Sequence, residues 1–127
     1  MFTKQHKKFL LTIYFFNKYK ISSNNTSLSK YLNLSKSAIS RTSIQLQNAQ
    51  IIKKQENKSL VLTHEGKELY KELINKYNML YSFFLLNLNL NQDTAHNDAL
   101  NCSLYISDET YNKIILQIKL KNSIDKK

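Results

Sequence analysis

Apolar residues recur at helical spacing from Lys4 to Lys20, where Phe9, Leu10, Ile13 and Phe16 fall on one side and Lys4, Lys7, Lys8, Lys18 and Lys20 on the polar ends and face. Tyr14 and Phe15 widen the apolar surface past half the circumference, which predicts a first helix buried on two sides. Ile21 to Asn25 reads as a connection that contributes a short strand. A second helix over Thr26 to Leu34 turns Leu28, Tyr31 and Leu32 inward, with Thr26 as its N-cap. Asn33-Leu34 makes a turn, Asn33 taking the left-handed conformation usually given to Gly. Ser35 then caps a third helix to Gln50, whose core positions are Ile39 and Leu46 with Ser43 between them.

The pattern next switches to alternation. Ile51-Ile52 close the core, Lys53 and Lys54 lead to a tip at Gln55 to Lys58, and Leu60 and Leu62 alternate with Val61 on a return strand over Ser59 to Thr63. Thr63 caps a long helix expected to run through Glu68 to about Leu88, with Leu69, Leu73, Tyr77, Leu80 and Phe84, and Ile74 and Tyr81, as its apolar positions. Asn87 to Asp93 breaks it. Two shorter helices follow, Asp93 to about Leu104 and Asp108 to about Leu120, the latter capped by Ser107 with Asp108 and Glu109 in its first turn. Lys121 to Lys127 is expected to fray. These elements make a mainly α chain: a winged helix-turn-helix DNA-binding domain (residues 1–66), then a linker helix and helical dimerisation domain (67–127). Ile114, Ile115, Ile118 and Leu120 are many apolar groups for a thin surface helix, which a homodimer interface explains economically; a monomer's own core is the other explanation.

Charge sharpens this picture. Residues 1–72 hold 13 Lys and Arg against 4 Asp and Glu, a balance of +9, whereas residues 73–127 hold 6 against 5, a balance of +1. The excess sits with the half that would meet phosphates, although a merely solvated lysine face would look the same. On the third helix, Ser35, Lys36, Ser37, Ser40, Arg41, Gln45 and Asn48 form a polar arc suited to a major groove: Arg pairs with guanine, Gln or Asn with adenine, and hydroxyls reach phosphate or base edges. Lys53, Lys54 and Lys58 around the hairpin tip are placed for phosphate or minor-groove contact. The implied partner is double-stranded DNA.

With one Gly and no Pro, turns fall to Asn, Asp and Ser, clustered at Ser22–Asn25, Glu56–Asn57 and Asn87–Asp93. The single Cys102 cannot form an internal disulfide and fits a reducing compartment. The apolar run Phe9 to Phe16 is too short for a signal sequence with its Thr12 interruption, and nothing approaches the roughly 20 apolar residues of a membrane span; the expectation is a cytoplasmic protein. Catalysis is not expected. Gly66 is the sole glycine, so there is no Gly-rich phosphate loop, and no paired carboxylates or Ser/His/Asp set stands out. Glu65, Glu68 and His64 read as surface residues at a helix start.

The ordered features Ile13-Tyr14, TSLSKYLNL, SKSAISR and LVLTHEGK, then a long helix and two short ones, resemble the DtxR/MntR family of metal-dependent bacterial transcriptional repressors, in its short form, over roughly residues 5–120. A similar wing end occurs in MarR-type regulators, which answer to small-molecule effectors. The resemblance implies a homodimeric repressor activated by Mn²⁺ or Fe²⁺. Its ligand positions fall here on Lys8, Leu11, Tyr77, Leu100, Ser103 and Leu104, and shifting the register to use Cys102 puts Tyr105 and Ile106 in the remaining places. None of these offers the carboxylate or imidazole set such ions take. The expectation is therefore a DNA-binding regulator with no metal and no cofactor; a winged-helix protein-interaction module is the alternative from another class. His6, His64 and His96 lie on separate elements and read as surface or capping residues.

Overall fold

The computed structural model describes residues 2–125, and side chains for residues 2–123. The chain forms two compact units, Met1–Lys71 and Glu72–Lys127. The first holds helices α1 (Lys4–Lys18), α2 (Asn25–Leu32), α3 (Lys36–Asn48) and α4 (His64–Leu69), with strands β1 (Ile52–Lys54) and β2 (Leu60–Leu62). The second is helical: most of α5 (Lys71–Ser82), a π-helical turn at Phe83–Asn87, α6 (Gln92–Tyr105) and α7 (Asp108–Asp125). This is a mainly α, winged helix-turn-helix chain with a helical second domain.

In the first unit, Phe9, Leu10, Leu11, Ile13, Phe15 and Phe16 of α1 are all buried, as the wide apolar circumference requires. They share the core with Leu28 of α2, Ile39 and Leu46 of α3, and Ile51, Ile52, Leu60 and Leu62 of the hairpin. The wing is antiparallel, pairing Ile52 with Leu62, Lys53 with Val61 and Lys54 with Leu60. Alternation along β2 turns Leu60 and Leu62 inward, while Lys53 and Lys54 stay exposed.

The segment before α2 is not a strand. Ser23 offers a single backbone carbonyl to the Leu60 amide at 3.3 Å, and its hydroxyl donates to the Leu60 carbonyl at 2.5 Å. Asn17 completes the edge from α1: its amide nitrogen donates to the Leu60 carbonyl at 3.0 Å, and its oxygen accepts the Leu62 amide at 3.3 Å. One side-chain amide thus imitates a strand residue, which leaves no call for a third strand. The α2 cap also differs from expectation. Asn24 does that work, its side-chain oxygen accepting the Ser27 amide at 2.8 Å, so Thr26 lies inside the helix and exposed. Asn is the equal of any capping residue, and capping two positions earlier adds Asn25 and Thr26 to the helix.

Left-handed backbone occurs at Lys20, Asn33, Gln50, Lys58 and Asn89. Lys and Gln therefore share the load that composition assigned to Asn, Asp and Ser. At Lys58 a tight turn explains it: the Lys58 amide reaches the Gln55 carbonyl at 2.9 Å, and the Asn57 side chain holds the Ser59 amide at 3.0 Å.

Thr63 caps α4 through the Gly66 amide at 2.9 Å, and its hydroxyl and amide both bind the Ile51 carbonyl. Gly66 lies directly on that carbonyl. A Cβ there would collide with the Ile51 oxygen and stand 3.0 Å from its carbonyl carbon, so the chain's one glycine sits where a helix start and the wing's base touch backbone to backbone. The predicted single long helix is broken at Tyr70, where φ −108° and ψ 24° end α4 before α5 begins.

In the second unit, Ile74, Tyr77, Leu80 and Tyr81 of α5 are buried, as are Ala95, Ala99 and Leu100 of α6. The π turn closes through the Leu88 amide on the Phe83 carbonyl, and Asn91 caps α6 by accepting the Thr94 amide at 2.9 Å. Ser107 caps α7 through the Thr110 amide. That helix continues through Asp125 rather than ending near Leu120; residues 126–127 of the tail expected to fray lie outside the described residues. No helix among the described residues is long and apolar enough to cross a membrane.

Candidate nucleic-acid interface

The sequence of α3 divides its circumference cleanly. Ile39, Ser43 and Leu46 are buried, at a spacing of four and three that makes one stripe. On the opposite face Lys36, Ser37, Arg41, Ile44, Gln45 and Asn48 are exposed, and Ser40 is half-buried beside them. The helix is held at its start by Asn33, whose φ of 55° and ψ of 47° end α2 left-handed, and by Ser35, whose hydroxyl accepts the Ala38 amide at 3.1 Å. Ser29 of α2 also donates to the Leu34 carbonyl at 2.5 Å, so the turn between α2 and α3 is tied on both sides. This entry leaves Lys36 and Ser37 of the first turn of α3 exposed. Such a helix start carries a partial positive charge that favours phosphate.

The second part of the interface is the wing. Lys53 and Lys54 on β1 and Lys58 at the tip are all exposed. Of the expected residues, Lys36, Ser37, Ser40, Arg41 and Gln45 share α3, Ser35 caps it, and Lys53, Lys54 and Lys58 share the hairpin. Two features of this face escaped the sequence pattern. Ile44 lies one turn beyond Ser40 and Arg41 and is 52% exposed, an apolar group in a polar arc, as suits contact with a thymine methyl. Its spacing from Ser37 and Arg41 was a usable signal; an isoleucine simply reads as core. The other is His6, whose Nε2 lies 2.7 Å from Gln45 Oε1. No local pattern joins residues on α1 and α3.

The second unit inverts this arrangement. His96, expected on the surface, is fully buried. Its Nδ1 is 2.6 Å from the Tyr77 hydroxyl, and Tyr77 stacks on Tyr81 with ring centroids 5.8 Å apart. Burial lowers the His96 pKa from 6.5 to about 4, so the imidazole is neutral. Two turns along, Ser103 donates to the Leu100 carbonyl at 2.8 Å and is buried too. Outside this core, Leu86, Leu88, Tyr105, Leu116 and Leu120 are exposed. Ile114, Ile115 and Ile118 are half-buried.

Residues 63–120 match the family model described as the iron dependent repressor, metal binding and dimerisation domain. Over these residues, a little under half of the chain, it is similar to the DtxR/MntR family. Solved structures agree in fold. The chain is similar to the manganese regulator SloR, with 22% identity over 87% of this chain and a TM-score of 0.57. It is similar to T. acidophilum IdeR at 15% identity over 89% of the chain, with a TM-score of 0.70. It spans about half of each of those proteins, 53% in both cases. A hypothetical protein from Sulfolobus solfataricus is matched at 19% identity over 92% of this chain and 89% of that one, with a TM-score of 0.53. No curated protein matches the chain.

Similarity to a metal binding domain raises the question of a metal, and the residues present do not fit one. Among the described residues, no three His, Cys, Asp or Glu side chains come together. At the places the resemblance gave to ligands, Tyr77 is hydrogen-bonded to His96, Leu100 and Ser103 are buried, and Leu104 is half-buried; in the first unit Leu11 is buried. Cys102 is no substitute, because burial and then the Asp98 carboxylate push its thiol up, away from the thiolate that binds metal.

Proposed function

We propose that this chain is a sequence-specific DNA-binding transcriptional repressor that acts as a homodimer without divalent-metal activation. α3 enters the major groove, with Ser35, Lys36, Ser37, Ser40, Arg41 and Gln45 toward bases and phosphates. Lys53, Lys54 and Lys58 of the wing neutralise backbone charge alongside. The observation that carries the reading is the exposed polar arc of α3, held by caps on a rigid turn, in the half of the chain that bears the charge excess. The exposed Leu116 and Leu120 of α7 support pairing through the helical domain, since apolar groups four residues apart lie on one helix face that a second copy can cover. The donor-poor surroundings of Tyr77 and Ser103 support metal independence.

Fluorescence anisotropy with the DNA upstream of its own gene tests this across a salt series, with EDTA and then with Mn²⁺. The expected result is tight binding indifferent to EDTA, with a log–log salt slope of about −0.9 per phosphate neutralised. Binding that required Mn²⁺ would refute metal independence. Absence of binding in every condition would remove the DNA reading, and salt-insensitive capture of a protein would replace it.

A further inference from the structure

Between the π turn and α7 the second unit leaves a groove of about 440 Å³. Two neighbouring rows of α7 shape it, each with a spacing of four. Thr110, Ile114 and Ile118 form the inner row, and the two isoleucines are half-buried. Lys113, Gln117 and Lys121 form the outer row and are exposed. Phe83 and Asn87 line the groove from the π turn, whose hydrogen bond spans five residues, the Leu88 amide reaching the Phe83 carbonyl at 3.2 Å. Such wide turns are frequent at functional sites. The start of α7 is pinned by Lys76, which pairs with Asp108 at 3.3 Å and lies 5.3 Å from the centre of the Tyr111 ring. The groove runs along the turns that follow.

Among the described residues no Asp or Glu lines this groove, and neither Lys113 nor Lys121 has an acidic partner. Residues 73–127 carry six Lys and Arg in all, so two of the six stand on the lip of one apolar groove. We propose that the groove binds a free amphiphilic carboxylate, a medium-chain fatty acid. Its alkyl chain lies along Phe83, Ile114 and Ile118, and its head group meets the lysine lip, with the amide of Gln117 and the hydroxyl of Thr110 as further donors. The lysine stems add apolar cover while their ammonium groups stay in water. The volume lies in the range of small-ligand sites, about 300–1,000 Å³. A second copy suits the groove less well. A two-fold interface sets a patch against its own copy, so lysine would meet lysine. The exposed Leu116 and Leu120, which would serve such pairing, lie on a different stripe of α7. The site is independent of DNA binding by α3.

Calorimetric titration of the full chain with octanoate, 1-octanol and octylammonium tests this. Octanoate is expected to bind most tightly, octanol roughly fivefold more weakly, the scale of an exposed ion pair, and octylammonium most weakly. Lys113→Gln combined with Lys121→Gln is expected to bring octanoate down to the level of octanol and to leave octanol unchanged. Equal binding of all three ligands, or of none, would overturn the proposal. Methyl spectra of the wild-type protein locate the ligand: octanoate is expected to shift the signals of Ile114 and Ile118 and to spare those of Leu116 and Leu120. Shifts at Leu116 and Leu120 alone would overturn the site. So would signals of Ile114 and Ile118 that moved with protein concentration and not with octanoate, which would give the groove to a second copy. The head-group comparison and the methyl spectra use the wild type, so they decide even if the lysine variant fails to fold.

Discussion

The two units of this chain spend their polar groups in opposite directions. In the first, most apolar residues are withdrawn into a core between α1, α2, α3 and the wing, with Ile21, Ile44 and Leu69 as exceptions, and Lys36, Arg41, Gln45, Lys53, Lys54 and Lys58 are left outside. In the second, Tyr77, His96 and Ser103 turn inward, while Leu86, Leu88, Tyr105, Leu116 and Leu120 remain out. On the proposed function, a surface for a charged, hydrated partner keeps its donors exposed, and a domain for an apolar partner does the reverse, securing its own interior with neutral hydrogen bonds. The difference explains why charge divides so unevenly between the halves.

The largest effect that would break this contrast lies at His96. Its folded pKa is about 4 against an ordinary 6.5, so between those values the unfolded chain takes up a proton that the folded one does not. Stability is present in full above about pH 6.5 and declines as pH falls toward 4, by an amount on the order of 3 kcal/mol. Urea unfolding at pH 7 and pH 4.5 is expected to show that loss, and His96→Phe to abolish most of it. An equal loss in the variant would place the acid sensitivity elsewhere.

A somewhat smaller effect belongs to the first unit and should leave stability untouched. Arg41→Ala is expected to cost about 1–3 kcal/mol of operator binding, with an unchanged melting temperature, because Arg41 is exposed and packs in no core. An unaltered operator affinity would deny Arg41 a base contact.

The smallest effect separates the wing from α3. Lys53→Ala combined with Lys58→Ala is expected to weaken operator and unrelated DNA alike and to flatten the salt slope by about 2, one phosphate for each lysine. Loss confined to the operator would mean that the wing reads sequence.

Much of this fold was legible in the residues. The buried stripe Ile39, Ser43 and Leu46, the left-handed Asn33 and the caps Ser35, Thr63 and Ser107 follow from periodicity and from bonds spanning three residues. The errors have a common source. Thr26 is an eligible cap by type, but Asn24, two positions earlier, is the better one and takes the Ser27 amide. Nothing local marks Tyr70 as the break between α4 and α5. Ile44 was overlooked because an aliphatic side chain on a helix usually packs inward, and His96 was put at the surface because a single histidine usually stays wet.

By itself the sequence determined most of the helices, the hairpin, the caps Ser35, Thr63 and Ser107, the polar arc of α3 and the uneven charge, because those depend on neighbours within about a turn and on side-chain type. Tertiary structure alone decided that Gly66 rests on the Ile51 carbonyl, that Tyr77 meets His96 across α5 and α6, and that His6 holds Gln45 from 39 positions away. These are contacts between residues distant in the chain. Their bonding roles are set by which atoms the packing brings within hydrogen-bond reach, and no periodicity encodes that.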